Sequence, residues 1–102
     1  MFGDAEIISS DTASGAATFA AHNANRILIR ALPATGGTVN ITVKGTATKF
    51  ETDAGTTVDT AAVTDAGYLL SLENTPCHNV TVEWDTLTGG GILKVYAFVG
   101  GV

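Results

Sequence analysis

Thr38-Val39-Asn40-Ile41-Thr42-Val43-Lys44 is the stretch whose reading decides the fold. Successive side chains of a β-strand point to opposite faces, so this alternation puts Val39, Ile41 and Val43 on an apolar face and Thr38, Asn40, Thr42 and Lys44 on a polar one. Upstream, residues 26–32 read R-I-L-I-R-A-L, with Ile27, Ile29 and Ala31 on one face. Pro33-Ala34-Thr35-Gly36-Gly37 lies between the two runs and has turn chemistry, which predicts a hairpin of residues 26–32 with residues 38–44.

Downstream the strand signals continue. Residues 46–51 read as a weaker strand carrying Phe50. Residues 52–65 are polar and small, anchored only by Val58 and Val63, and predict a long loop with a short strand around Val58. Residues 67–73 bring Tyr68, Leu70 and Leu72 to one face, and Asn74-Thr75-Pro76 ends the run. Val80, Val82 and Trp84 then alternate with Thr81, Glu83 and Asp85. Gly89-Gly90-Gly91 makes a turn into residues 92–99, I-L-K-V-Y-A-F-V, apolar on both faces except at Lys94. A strand of that kind is either covered twice or meets another protein with one face; in a two-layer fold the outer face otherwise meets water, which favours the interface. Helical periodicity is lacking throughout. Seven to eight short strands spaced near ten residues predict an all-β domain, a β-sandwich or jelly roll of antiparallel strands.

The N-terminal quarter differs. Ile7-Ile8 marks a possible short strand, whereas residues 11–25 are Ala-, Ser-, Thr-, Asn- and Gly-rich, with Phe19 as the only large apolar side chain. Such a composition buries little and suits an extended N-terminal arm over residues 1–25, ahead of a sandwich domain at 26–102. The competing reading is one edge strand at residues 17–20 between two loops.

Composition narrows the function. Charged residues make up 15% of the 102 residues, against roughly 25% in an ordinary soluble domain. A surface of Thr, Ser, Gly and Ala with few charges is poorly defended against association, which points to contact with another protein. The net charge of −5, with Lys and Arg numbering 5, argues against a nucleic-acid backbone or an anionic membrane as partner. One cysteine, Cys77, permits no intrachain disulfide. The first residues carry neither a basic region nor a long apolar run, so they do not read as a signal peptide, and the expected site of synthesis is a cytoplasm.

Motifs that carry chemistry are weak. Leu32-Pro33-Ala34-Thr35-Gly36 matches a surface-sorting pentapeptide, but it lies mid-chain between strands and reads as a turn. Asn40-Ile41-Thr42 and Asn79-Val80-Thr81 match the glycosylation sequon, a match common in a Thr-rich chain. Cys77 and His78 are neighbours on the chain and so badly placed to act as nucleophile and base. Two histidines, His22 and His78, and one cysteine are too few for a zinc site. Asp53, Asp59 and Asp65 recur every six residues without the spacing of a calcium loop. Trp84, Tyr68, Tyr96 and Phe98 could form a sugar-stacking platform, although Trp84 shares its face with Val80 and Val82 and so reads as core. No catalytic residue, metal or cofactor is expected, and an enzyme is not expected.

A Thr/Gly-rich, charge-poor β chain with an Ala/Ser-rich N-terminal segment, and with strand character running to Val99-Gly100-Gly101-Val102, resembles small bacteriophage virion proteins, most of all capsid decoration or cement proteins. Residues 26–45 and 66–101, about half of the chain, carry the resemblance. It implies a virion subunit, trimeric in many such proteins, that sits on the outer shell against the major capsid protein or another virion protein and clamps it against internal pressure. Phe2, Ile7, Ile8, Phe19, Leu93, Val95 and Val99 are the expected interface residues. A phage tail, baseplate or fibre component, and a small carbohydrate-binding module, are the alternatives.

Overall fold

In the computed structural model, residues 13–48, 50–51, 55–74, 77–89 and 91–100 are described in full, and residues 3–8 by their backbone. Eight strands form in chain order: β1 (Gly3–Ile8), β2 (Gly15–Ala20), β3 (Arg26–Pro33), β4 (Val39–Thr46), β5 (Thr56–Val63), β6 (Tyr68–Glu73), β7 (Asn79–Trp84) and β8 (Leu93–Gly100). Two four-stranded sheets result, ordered β1-β8-β3-β6 and β2-β7-β4-β5, here called sheets A and B. Every pairing is antiparallel.

The pairing has a simple rule. The first strand pairs with the last, the second with the seventh, the third with the sixth and the fourth with the fifth. The chain is thus one long folded ribbon, wound so that alternate pairs fall in opposite sheets, with β3·β8 and β4·β7 closing the seams. This is a jelly roll.

Between the sheets lie the residues whose alternation was legible at the start. Ile27, Ile29 and Ala31 of β3, with Leu93 and Val95 of β8, are fully buried against Ile41 and Val43 of β4 and Val80 and Val82 of β7. Burying an Ile, Leu or Val side chain stabilises by about 1.5–3 kcal/mol each, so this layer is the main stabilising element. Trp84 joins it, 6% exposed, and its indole N–H donates to the carbonyl of Ala13 at 2.8 Å. Gly15 passes directly over the ring, where a Cβ would stand 2.9 Å from Trp84 Cζ2. No buried side-chain N or O among the described residues lacks a hydrogen-bond partner.

Four expectations are corrected. Residues 26–32 and 38–44 do not form a hairpin: β3 lies in sheet A and β4 in sheet B, because the turn at 34–38 carries the chain across the core. Likewise β7 lies in sheet B and β8 in sheet A, so those two strands form no hairpin either. Among the described residues of 46–51 there is no further strand. Thr46 closes β4, and beyond it the Glu51 carboxylate accepts the backbone N–H groups of Ala47 and Thr48, at 2.5 and 2.8 Å, in a turn that leaves Phe50 79% exposed.

Residues 52–65, read as a loop with a short strand, contain the eight-residue β5, which makes the hairpin with β4. Gly55 permits that hairpin: its φ is +89°, and a Cβ there would fall 2.0 Å from the Gly45 carbonyl oxygen. Finally, the described part of residues 1–25 enters the sheets and is not a free arm, and the competing reading of an edge strand at residues 17–20 falls within β2. This segment supplies β1 along β8 and β2 along β7, one edge strand for each sheet. Extended chain of low apolar content still gains a ladder of backbone hydrogen bonds when a sheet edge is free to receive it.

Candidate interaction surface

Because partnered residues share a face, the register of sheet A fixes what points outward. Leu69 of β6, Arg30 of β3, Tyr96 of β8 and Glu6 of β1 form one row; Ser71, Leu28, Phe98 and Asp4 form the next. Leu28, Tyr96 and Phe98 are half-buried, and Leu69 is 61% exposed. Arg30 stands exposed in their midst and makes no ion pair among the described residues. An arginine ringed by aromatic and aliphatic side chains is the composition of an interface centre, where a planar, weakly hydrated cation contributes both stacking and directed hydrogen bonds.

The loops at one end of the sandwich are stitched together. Gly36 donates its N–H to Asp65 Oδ2 at 2.8 Å, and Thr38 and Thr88 exchange backbone hydrogen bonds at 2.9 Å. Asp85 accepts from the Asn40 backbone N–H at 2.8 Å and from Asn40 Nδ2 at 2.7 Å. These two bonds hold the Asp85 carboxyl below its ordinary value, chiefly through the backbone one. The open groove here, about 270 Å³, is lined by Thr38, Asn40, Thr64, Asp85, Thr86 and Thr88 among others. One engaged carboxylate among hydroxyls supplies neither a carboxylate pair nor a base beside a nucleophile.

The expected interface residues fall elsewhere. Leu93 and Val95 are fully buried in the core. Val99 pairs with Ile27 and so shares its inward face, and Phe19 packs against the core. These four are corrected as surface residues: strand alternation gives β8 two apolar faces, and the odd-numbered one is the monomer's own core. The even-numbered face carries Lys94, Tyr96 and Phe98 outward. Ile7 and Ile8 lie in β1, where Ile8 pairs with Val95 of β8 and the register shifts between Glu6 and Ile8, and Phe2 is outside the described residues. Sequence reasoning missed Leu28, Arg30 and Leu69. Their signal was present: choosing Ile27, Ile29 and Ala31 as the inward face leaves Leu28 and Arg30 outward, and Leu69 breaks the alternation of Tyr68, Leu70 and Leu72.

The other chemistry-bearing groups are separated. Asp59 turns inward and accepts the Tyr68 hydroxyl at 2.5 Å, joining edge strand β5 to edge strand β6 across the sandwich. Burial, with Asp59 adding to it, pushes the Tyr68 phenol well above its usual value. Asp65 is held by Gly36, and Asp53 is outside the described residues. Burial raises the Cys77 thiol, which disfavours the reactive thiolate. His22 and His78 meet edge-to-face with ring centroids 6.5 Å apart. Among the described residues no three His, Cys, Asp or Glu side chains gather as a metal site, and no helix is long and apolar enough to cross a membrane.

No family model and no curated protein matches the sequence. Among solved structures, the chain is similar to the SPBc2 prophage-derived protein YomS, with a TM-score of 0.70 at 12% identity, over 97% of this chain and 92% of that one. A Bacillus subtilis glycoside hydrolase family 43 arabinoxylan arabinofuranohydrolase, solved with cellotetraose, matches with a TM-score of 0.48 at 15% identity, over 89% of this chain and 20% of that one. The likeness to YomS is one of fold across nearly the whole of both chains.

Proposed function

We propose that this chain is a non-enzymatic bacteriophage structural protein that seats on the outside of a capsid through the outer face of sheet A and stabilises the shell. The observation that carries the reading is the patch of Leu28, Leu69, Tyr96 and Phe98 around Arg30, on a jelly roll whose fold is shared end to end with a prophage-derived protein. The partner is the major capsid protein or another virion protein, offering apolar side chains around a carboxylate that answers Arg30. Weak contacts suffice when many copies act on one shell. The sparse charge of the sequence and the outward aromatic rings both fit a protein-contact surface.

A small carbohydrate-binding module is the second reading, favoured by Tyr96 and Phe98 standing two residues apart on one open face. Against it, Trp84, the largest aromatic platform, is in the core, and Tyr68 is tied to Asp59.

Quantitative mass spectrometry of purified particles tests the first reading. A copy number that is a fixed large fraction of the major shell protein supports a decoration role; a few copies per particle moves the protein to tail, baseplate or fibre. Absence from particles removes the virion reading. Arg30→Glu with Tyr96→Ser should weaken rebinding to particles lacking the protein by more than about 100-fold, as loss of a buried interface centre does. Glycan binding that is lost in the same folded variant would establish the second reading instead.

A further inference from the structure

We infer that the groove at the loop end of sheet B, where Asn40 meets Asp85, binds a neutral saccharide. The site lies on the other side of the sandwich from the sheet A patch and shares no residue with it.

The groove, about 270 Å³, is lined by Asn40, Ala62, Thr64, Asp85 and Thr86 among others. A second hollow of about 310 Å³ shares Asn40 and Ala62 with it and runs on past Thr42 and Thr60. The register explains the continuity. Asn40 pairs with Ala62 and Thr42 with Thr60, so these side chains lie together on the outer face of the β4-β5 hairpin.

The chemistry of the lining selects the ligand by elimination. Among the described residues, Asp85 is the one charged group that lines either hollow. It repels an anion, and no Lys, Arg or His lines the strip to hold a phosphate or a carboxylate. A hard cation such as calcium takes about six to eight oxygens, and a single carboxylate already accepting two hydrogen bonds gives it too little charge. An apolar ligand finds no long aliphatic or aromatic side chain exposed there, because Val39, Ile41 and Val63 are buried. What remains is a neutral molecule rich in hydroxyl groups.

The polar groups are arranged for such a molecule. Asp85 accepts from the Asn40 backbone N–H with one oxygen and from Asn40 Nδ2 with the other, and its own N–H donates to the Asn40 carbonyl at 3.2 Å. These three bonds fix both side chains. Each carboxylate oxygen keeps a lone pair, and the Asn40 side-chain carbonyl and the Thr86 hydroxyl make no hydrogen bond among the described residues. Held acceptors beside an open hydroxyl match the donors and acceptors along the edge of a sugar, and the small, exposed Ala62 leaves room for a C–H face of the ring. Because the acceptors are already ordered, little further entropy is lost on binding. One such site without an aromatic platform binds at about millimolar strength. Display in many copies, as the capsid reading has it, raises the effective affinity, but the site does not depend on that reading.

The test is two-dimensional amide NMR of the whole chain titrated with glucose, galactose, mannose and N-acetylglucosamine, each free and as a short oligosaccharide. At least one should give saturable shifts centred on Asn40, Ala62, Asp85 and Thr86. Asp85→Asn should weaken that binding at least tenfold. Ala62→Leu, at an exposed position outside the hydrogen-bonded set, should fill the groove and do the same with the thermal midpoint unchanged. Arg30→Glu with Tyr96→Ser should leave the affinity as it was; loss in that variant assigns glycan binding to the rings of sheet A and overturns the inference. No saturable shift from any of these sugars overturns it too, as do shifts that neither the Asp85 nor the Ala62 variant weakens, the same shifts from calcium chloride alone, or glucuronate binding more tightly than glucose. Particle copy number is read separately, so failure here and failure of the capsid reading are distinct results.

Discussion

The two outer faces of the sandwich are built on matching frames and differ in chemistry at their centres. On sheet B the register aligns Thr57, Lys44, Thr81 and Thr18 in one row and Thr60, Thr42, Glu83 and Ala16 in the next. That face answers its own polar groups. The Thr18 and Thr81 hydroxyls bond each other at 2.8 Å, and Lys44 reaches Glu83 at 3.1 Å. On sheet A the corresponding rows are Leu69, Arg30, Tyr96, Glu6 and Ser71, Leu28, Phe98, Asp4, so the apolar groups stand at the centre and the acidic positions on the β1 edge. There the apolar side chains stay half-open and the central cation has no ion pair among the described residues. Both faces lie outside the same core, so the core does not require the difference. A face that satisfies itself needs only water, whereas half-open apolar rings around a guanidinium with no ion pair among the described residues gain by meeting a partner.

The sharpest way to break this comparison is to truncate two neighbours on β3. Ile29 is fully buried and Leu28 half-buried on the outer face. Ile29→Ala should cost about 2–5 kcal/mol of unfolding free energy through lost burial and a cavity. Leu28→Ala should cost under about 1 kcal/mol, in the range of surface changes. Urea unfolding at neutral pH measures both. Equal losses would mean that Leu28 is part of the core and that sheet A has no spare face.

A smaller effect is expected where sheet B closes over Trp84. Gly15→Ala places a methyl group 2.9 Å from the indole, so ring or strand must shift. The cost should be about 1–3 kcal/mol, as for other overpacked sites. Loss of the Trp84 near-ultraviolet signal should accompany it, while Ala16→Ser on the outward side of the same strand leaves both unchanged.

How far such contrasts were legible in the sequence follows from what alternation encodes. The period of two located the inward residues of β3, β4, β6 and β7, because burial acts on each strand separately. It also showed that residues 92–99 are apolar on both faces, without showing which face the core claims. That choice depends on β8 lying between β1 and β3, a matter of pairing between residues far apart in the chain. Turn chemistry misled for a related reason. A turn after β3 is consistent with a hairpin or with a crossing to the facing sheet, and the jelly roll uses the crossing everywhere except between β4 and β5. That hairpin hid because β5 is Thr- and Ala-rich and lies at an edge, where little apolar area is needed. The outward patch around Arg30 was present in the same letters, as the residues left over once the inward set is chosen.

Tyr68 and Asp59 sharpen the contrast at the rim, where sheets A and B are tied by a polar contact. Tyr68→Phe should lower stability by about 1 kcal/mol, the net worth of a typical hydrogen bond. It should also remove a pH effect. The folded chain holds Tyr68 protonated well above the usual range, because burial and then Asp59 disfavour the phenolate. The unfolded chain releases that proton near pH 10. The stabilisation is therefore complete below about pH 10 and is lost as pH rises from there toward the folded pKa. Chemical denaturation between neutral and alkaline pH should show this decline in the wild type and a flatter profile in Tyr68→Phe.

The smallest effect belongs to the ion pair on sheet B, and it tests whether that face is self-sufficient or merely polar. Lys44 and Glu83 have side chains 29% and 36% exposed, neither buried nor fully screened. A double-mutant cycle with Lys44→Met and Glu83→Gln isolates their coupling from the packing of each side chain. Exposed pairs of this kind contribute about 0.2–1 kcal/mol and weaken as salt is added. The coupling should fall in that range at low ionic strength and shrink in molar salt. Arg30→Met on sheet A, by contrast, should leave the isolated chain's stability nearly independent of salt, because the guanidinium has no ion-pair partner among the described residues to be screened. If instead Arg30→Met shows the larger salt dependence, the cation is already satisfied within the monomer, and the two faces differ in composition but not in what they need.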